Sequence, residues 1–153
     1  MRITIITILY IFLRLSLQAQ EIKWMTFPQL SDSLNVRAKP VFIFFHTNWC
    51  SYCRKMEKDV FTNPEVIAAL NNKFYAVKFN AESKDSFLFE GKLLKNDNPN
   101  SKKSIHEIVT LLAYRKEGYA FPATLIFNEN FLVIDRKFSY LSSRKLLDLL
   151  KKL

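Results

Sequence analysis

The chain has 153 residues and is 49% hydrophobic and 14% aromatic. That is enough apolar material for one packed domain, and it excludes a disordered chain. With 2 glycines against 14 phenylalanines, glycine-rich loops that cradle phosphates are excluded, and no cofactor is implied. Lys and Arg number 23 against 14 Asp and Glu, a formal charge of +9. The basic residues are scattered, with short runs only at Lys102-Lys103 and Lys151-Lys152. They read as a solvated basic surface that favours acidic partners or an anionic membrane face, not as a nucleic-acid stripe.

Residues 1–20 carry Arg2, an apolar stretch from Ile3 to Leu13 and a small Ala19. This is the layout of a signal peptide, and the stretch is short for a bilayer span of about 20 residues. The chain is therefore expected to leave the cytoplasm, as a periplasmic or secreted protein. Arg14 and the bulky Leu17 depart from the usual signal, so an uncleaved membrane anchor is the second reading.

Glu21 to Met25 predicts a short edge strand. Phe27 to Ala38 predicts a helix, from the spacing of Phe27, Leu30 and Leu34, closed by Pro40. Val41 to Phe45 is a run of β-formers with no polar face, as in a central buried strand. Trp49-Cys50-Ser51-Tyr52-Cys53 follows at once, and Arg54 to Lys58 looks helical. Asn63-Pro64 opens another helix with a cap and a proline at its first position. Phe74 to Asn80 predicts a strand. Phe87–Leu94 predicts a hairpin turning at Glu90-Gly91, and Asn96 to Ser101 a polar linker. Ser104 to Lys116 predicts a helix capped by Ser104 and answered by Glu107, with Ile105, Ile108, Leu111 and Leu112 inward. Ala123–Phe127 and Phe131–Asp135 predict a second hairpin. Ser142 or Ser143 caps a last helix bearing Leu146, Leu147, Leu149 and Leu150. The alternation implies an α/β domain with helices on both faces of one sheet.

Both cysteines of the chain lie in the motif, at Cys50 and Cys53. Two intervening residues let a small disulfide close and reopen. A helix N-terminus favours the thiolate, because its free N–H groups and dipole stabilise negative charge. Cys50 is thus the expected nucleophile, and Cys53, a turn inside the helix, the thiol that resolves the mixed disulfide. A zinc site would need further ligands; His46 and His106 are the candidates, and neither is spaced for one. Phe121-Pro122 precedes a strand, where a cis-proline would set a backbone edge beside the cysteines.

Lys39-Pro40-Val41, the block from Trp49 to Glu57, the downstream Asn63-Pro64-Glu65-Val66, the strand ending at Glu82, and Pro122 together resemble the thioredoxin superfamily. The likeness is to secreted thioredoxin-like proteins of Bacteroidetes-type bacteria and to the C-terminal domain of the membrane thiol:disulfide interchange protein. It covers about residues 21–153. The resemblance implies a thioredoxin fold, a central mixed sheet flanked by helices on both faces. It implies a thiol–disulfide oxidoreductase that reduces or exchanges disulfides of envelope proteins, fed by an external redox donor or acceptor such as a membrane protein. Cys50, Cys53 and Pro122 would be the catalytic set. Trp49, Ser51, Tyr52, Lys78 and Glu57 would support it, with Trp49 shielding the active-site surface.

Three departures stand out. Phe44 occupies the place of a buried aspartate, which leaves proton handling to Glu57, Lys78 or water. Ser51-Tyr52 replaces Gly-Pro, so a redox potential does not carry over. Residues 83–118 form an extended insertion. A disulfide oxidase or isomerase would use the same residues, and a non-catalytic adaptor with a structural disulfide or a metal chaperone are the other readings. The sequence leaves the oligomeric state open.

Overall fold

The computed structural model describes residues 21–101 and 104–152. The expected signal peptide at 1–20 lies outside the described residues. No helix among the described residues is long and apolar enough to cross a membrane.

The elements run β1 (Trp24–Met25), α1 (Phe27–Val36), β2 (Val41–His46), α2 (Ser51–Asp59), α3 (Pro64–Lys73), β3 (Tyr75–Asn80), β4 (Phe87–Phe89), β5 (Lys92–Leu94), α4 (Glu107–Ala113), β6 (Ala123–Phe127), β7 (Val133–Lys137) and α5 (Ser143–Leu150). Five strands form one mixed sheet in the order β1-β3-β2-β6-β7. β2 lies parallel to β3 and antiparallel to β6. β4 and β5 form a separate hairpin.

β2 is central because both its faces are covered: Val41 to Phe45 are all fully buried. Alternation sends Phe42 and Phe44 to one face and Val41, Ile43 and Phe45 to the other. The first face packs Cys53 and Met56 of α2, Val66, Ile67 and Leu70 of α3, and Leu146, Leu149 and Leu150 of α5. The second packs Phe27 and Leu30 of α1, Phe89 and Leu94 of the hairpin, and Ile108, Val109 and Ala113 of α4. Helices therefore cover both faces of one sheet, as expected. Phe27 joins that second layer, its ring meeting those of Phe45, Phe79, Phe87 and Phe89 at 5.4–6.2 Å. The rings of the insertion thus close the core of this face.

Local chemistry fixes the helix starts. Thr26 and Gln29 form a reciprocal capping box on α1. The Asn63 side chain accepts the N–H groups of Glu65 and Val66 at 3.0 and 3.2 Å. Asn63→Ala should cost about 1 kcal/mol of folding free energy, read from the midpoint of urea unfolding; an unchanged midpoint would mean that water replaces the cap. In the hairpin, Glu90 and Gly91 take φ of 49° and 73°, a turn that favours glycine at its second place.

Several boundaries differ from the expectation. β1 is confined to Trp24–Met25, and α1 ends at Val36, before Ala38. α2 begins at Ser51, so the motif itself supplies its first turn. The helix expected over 104–116 spans only Glu107–Ala113, and its cap is His106. Ser104 is diverted by the side chain of Asn96, and the Glu107 carboxylate accepts the Lys95 N–H at 2.9 Å. With the start moved, Val109 and Ala113 turn inward and Leu111 is exposed. The last hairpin strand is displaced to Val133–Lys137, because Phe131 sits at φ 57° in the turn and its ring stacks on Phe127 at 4.6 Å.

His106 is fully buried. Its Nδ1 accepts the Ile108 N–H at 3.1 Å, so Nε2 carries the proton and donates it to the Asp85 carbonyl at 2.9 Å. The ring stacks on Phe87. Burial lowers its pKa from 6.5, against the opposing pull of the Asp85 carbonyl and the Glu107 and Asp85 charges. A base depressed in the folded state leaves the unfolded chain holding more protons below about pH 6.5. Stability should therefore fall as the pH drops from about 6.5 through the folded pKa, and level off below it. His106→Asn should flatten that slope in urea titrations without abolishing it, because the pKa of His46 is also lowered by burial. An identical slope in the variant would remove His106 from the effect.

Candidate active site

β2 delivers the chain to the motif, and the turn after it closes when the Cys50 N–H reaches the Thr47 carbonyl at 3.2 Å. Cys50 then stands at the N-cap of α2. Its Sγ accepts the Cys53 N–H at 3.0 Å, the role a Ser or Asp oxygen fills in other helices. Cys50 and Cys53 are joined in a disulfide, and both are buried. The two positions differ in kind. Cys50 is the cap, facing the unpaired N–H end of the helix, whereas Cys53 is inside the first turn and packs with Met56 and Phe44.

The loop before the pair is held by polar groups. The Asn48 carbonyl accepts Arg54 Nη1 at 2.7 Å, and the Asn48 side chain accepts Asn80 Nδ2 at 3.2 Å. Trp49 is 66% exposed, its indole N–H bonded to Glu82 at 2.9 Å and its ring edge-on to Phe121 at 6.3 Å. Ser51 is exposed, and Tyr52 is 60% exposed with its ring 6.2 Å from Tyr140. Aromatic side chains thus surround the motif and leave their faces to solvent, a surface suited to contact with another protein. Glu82, Asn48, Asn80 and Tyr140 carry no motif of their own in the sequence. They were missed because they act through strand ends and loops brought together by the sheet.

The Phe121–Pro122 bond is cis. Ala123 pairs with Phe45, so Pro122 lies beside the end of β2, from which the motif departs. Lys78 and Glu57 meet at 3.1 Å, Glu57 half-buried and Lys78 exposed, and Lys78 also lies 5.8 Å over the Trp24 ring. Lys78 is the partner of Phe44 across β2 and β3. The sheet therefore brings Lys78 and Glu57 to the face that carries the disulfide, while the site of the superfamily aspartate is filled by a fully buried Phe44 whose ring meets Phe61 at 4.8 Å. His46 stacks on Phe44 with centroids 6.0 Å apart. Burial lowers its pKa, Glu57 pulls it back up and Lys78 lowers it further. Of the two histidines weighed as metal ligands, His106 has both ring nitrogens committed to backbone groups.

The fold has counterparts among solved structures. A thioredoxin from Thermus thermophilus superposes with a TM-score of 0.61 at 17% identity, over 86% of each chain. A thioredoxin-fold protein from Helicobacter pylori gives 0.57 at 22% identity, over 74% of this chain and 68% of its own. The DsbD C-terminal domain of Neisseria meningitidis, in its reduced form, gives 0.51 at 17% identity, over 80% of this chain and 89% of its own. At these identities the likeness is one of fold. No curated protein matches the chain. The thioredoxin-like domain profile matches residues 31–153. With a cysteine pair at the head of α2, that match supports thiol–disulfide oxidoreductase chemistry in general. The chain belongs to the thioredoxin-like domain family.

Proposed function

We propose that the protein reduces or exchanges disulfides of bacterial envelope proteins. Cys50 attacks the substrate disulfide, a mixed disulfide forms, and Cys53 resolves it. The observation that carries this reading is the placement of Cys50 Sγ as the N-cap acceptor of the Cys53 N–H at 3.0 Å. The same donor and the helix dipole would stabilise the thiolate of the reduced pair on Cys50. The exposed rings of Trp49 and Tyr52 suit docking of a protein substrate. On this reading a redox partner returns the oxidised pair to the dithiol after each cycle.

Periplasmic or secreted placement follows from the expected signal peptide. The reduction potential tests the direction of electron flow. The mature protein would be equilibrated with glutathione and with dithiothreitol buffers, and the Cys50–Cys53 state trapped and counted. A value near about −270 mV fits a reductase, and one near about −120 mV an oxidant. No reversible transition in either buffer would overturn the redox reading in favour of a structural disulfide.

A further inference from the structure

Resolution of a mixed disulfide needs a base. The Cys53 thiol must lose its proton before its sulfur attacks, and Cys53 is only 1% exposed, so bulk water reaches it poorly. Phe44, at the place of the superfamily aspartate, has no proton chemistry. Glu57 is engaged by Lys78 at 3.1 Å, and an ammonium is no base. A further titratable side chain, stacked on Phe44, is His46.

His46 ends β2, four residues before Cys50. Its ring stacks on Phe44, which belongs to the same packed cluster as Cys50 and Cys53. The charged groups that bear on it are Glu57 from α2 and Lys78 from β3; on the other side of β2, Pro122 leads into Ala123 and Thr124 of β6, all uncharged. Neither ring nitrogen is hydrogen-bonded to another described residue, in contrast to His106. Glu57 stands one helical turn beyond Cys53, so the two side chains share a face of α2. His46 thus borders, through Phe44, the cluster that holds the resolving cysteine, feels the charges of Glu57 and Lys78, and has ring nitrogens free to accept.

We infer that His46 is the proton acceptor for Cys53 in the resolving step. This rests on the exchange reading above. In the first step the Cys50 thiolate attacks the substrate disulfide, forms Cys50–S–S–R and expels one substrate thiolate. In the second, the His46 imidazole takes the Cys53 S–H proton and Cys53 Sγ attacks Cys50 Sγ. The bond between Cys50 and the substrate breaks, and the departing thiolate takes the proton back from the imidazolium. The substrate disulfide gains two electrons and the protein dithiol loses two, so no further reductant enters the cycle. The low pKa that burial gives His46 keeps its imidazole neutral, and so ready to accept, at neutral pH.

The test mixes the reduced protein with oxidised glutathione, quenches with acid, and follows the glutathione adduct by mass spectrometry. The Cys53→Ser variant isolates adduct formation as the internal reference. His46→Gln should slow adduct decay at least about ten-fold at neutral pH, the lower end for a lost general base. In the wild type the decay rate should level off above the His46 titration. In His46→Gln and in the smaller His46→Asn it should instead climb with hydroxide until the thiol itself ionises. Added imidazole should restore part of the His46→Gln rate, which a packing defect would not allow. Decay in both variants with the wild-type rate and pH profile overturns His46 as the acceptor and leaves the exchange reading standing. A Cys53→Ser protein that forms no adduct, with no oxidation of the wild-type pair by the same glutathione, overturns both.

Discussion

Cys50→Ser should abolish disulfide exchange, and Cys53→Ser should convert the protein into a trap. The asymmetry comes from the helix. Cys50 caps α2 and accepts the Cys53 N–H, so negative charge on that sulfur is stabilised by a hydrogen bond and by the helix dipole. Cys53 lies inside the turn, where it packs against Met56 and Phe44 in the core. A substrate sulfur bonded to Cys50 therefore has one escape route, attack by Cys53. When Ser stands at 53 that route is closed and the adduct persists. The measurement is non-reducing gel analysis of the tagged variants against a disulfide-bonded model protein, with turnover of the same substrate in parallel. Exchange surviving in Cys50→Ser would reverse the assignment. An absence of any adduct on Cys53→Ser, with no turnover in the wild type, would favour the adaptor with a structural disulfide.

Phe44→Asp should bring the domain close to unfolding. The superfamily accommodates an aspartate at this place, and this chain does not. Phe44 is fully buried, its ring meeting Phe61 at 4.8 Å and stacked on His46 at 6.0 Å. Removal of a buried Phe side chain costs about 3–5 kcal/mol. A carboxylate left there without a partner adds the penalty of burying charge. Domains of this size have about 5–15 kcal/mol in all, so the sum takes up most of it. Phe44→Leu, which keeps an apolar filling, is the reference and should lose much less. Urea unfolding followed by far-UV circular dichroism reads both. A Phe44→Asp midpoint equal to that of Phe44→Leu would show that the site admits water or a counter-charge.

Phe44 also explains why the acid–base chemistry of the site was the hardest part to read. A chain with an aspartate at that position names its own base. Here the residue type excludes one candidate without pointing to another, and His46, Glu57 and Lys78 lie on three different elements, β2, α2 and β3. Their convergence depends on the register that sets Phe44 beside Lys78 and on the helix that carries Glu57 above it. The misplaced start of α4 has a similar origin. Ser104 followed by Glu107 is a sound capping pattern, but its parts found other partners in Asn96 and in the Lys95 N–H, and a buried histidine took over the cap. Local propensity yielded there to contacts across the insertion.

What the sequence by itself determined were the features with short-range causes. The apolar run of β2, the Asn63-Pro64 start of α3, the glycine turn of the β4–β5 hairpin and the position of the cysteine pair between a strand and a helix all follow from neighbouring residues. Side-chain period, capping and turn chemistry act over a few positions. The tertiary structure alone decided which distant residues meet: Glu82 with the Trp49 indole, Asn80 with Asn48, Tyr140 with Tyr52, and Glu57 with Lys78. Those contacts depend on strand order, on the parallel register of β2 with β3 and on the angle at which each helix crosses the sheet. These are set by packing of the whole core, so they are not encoded in any one segment.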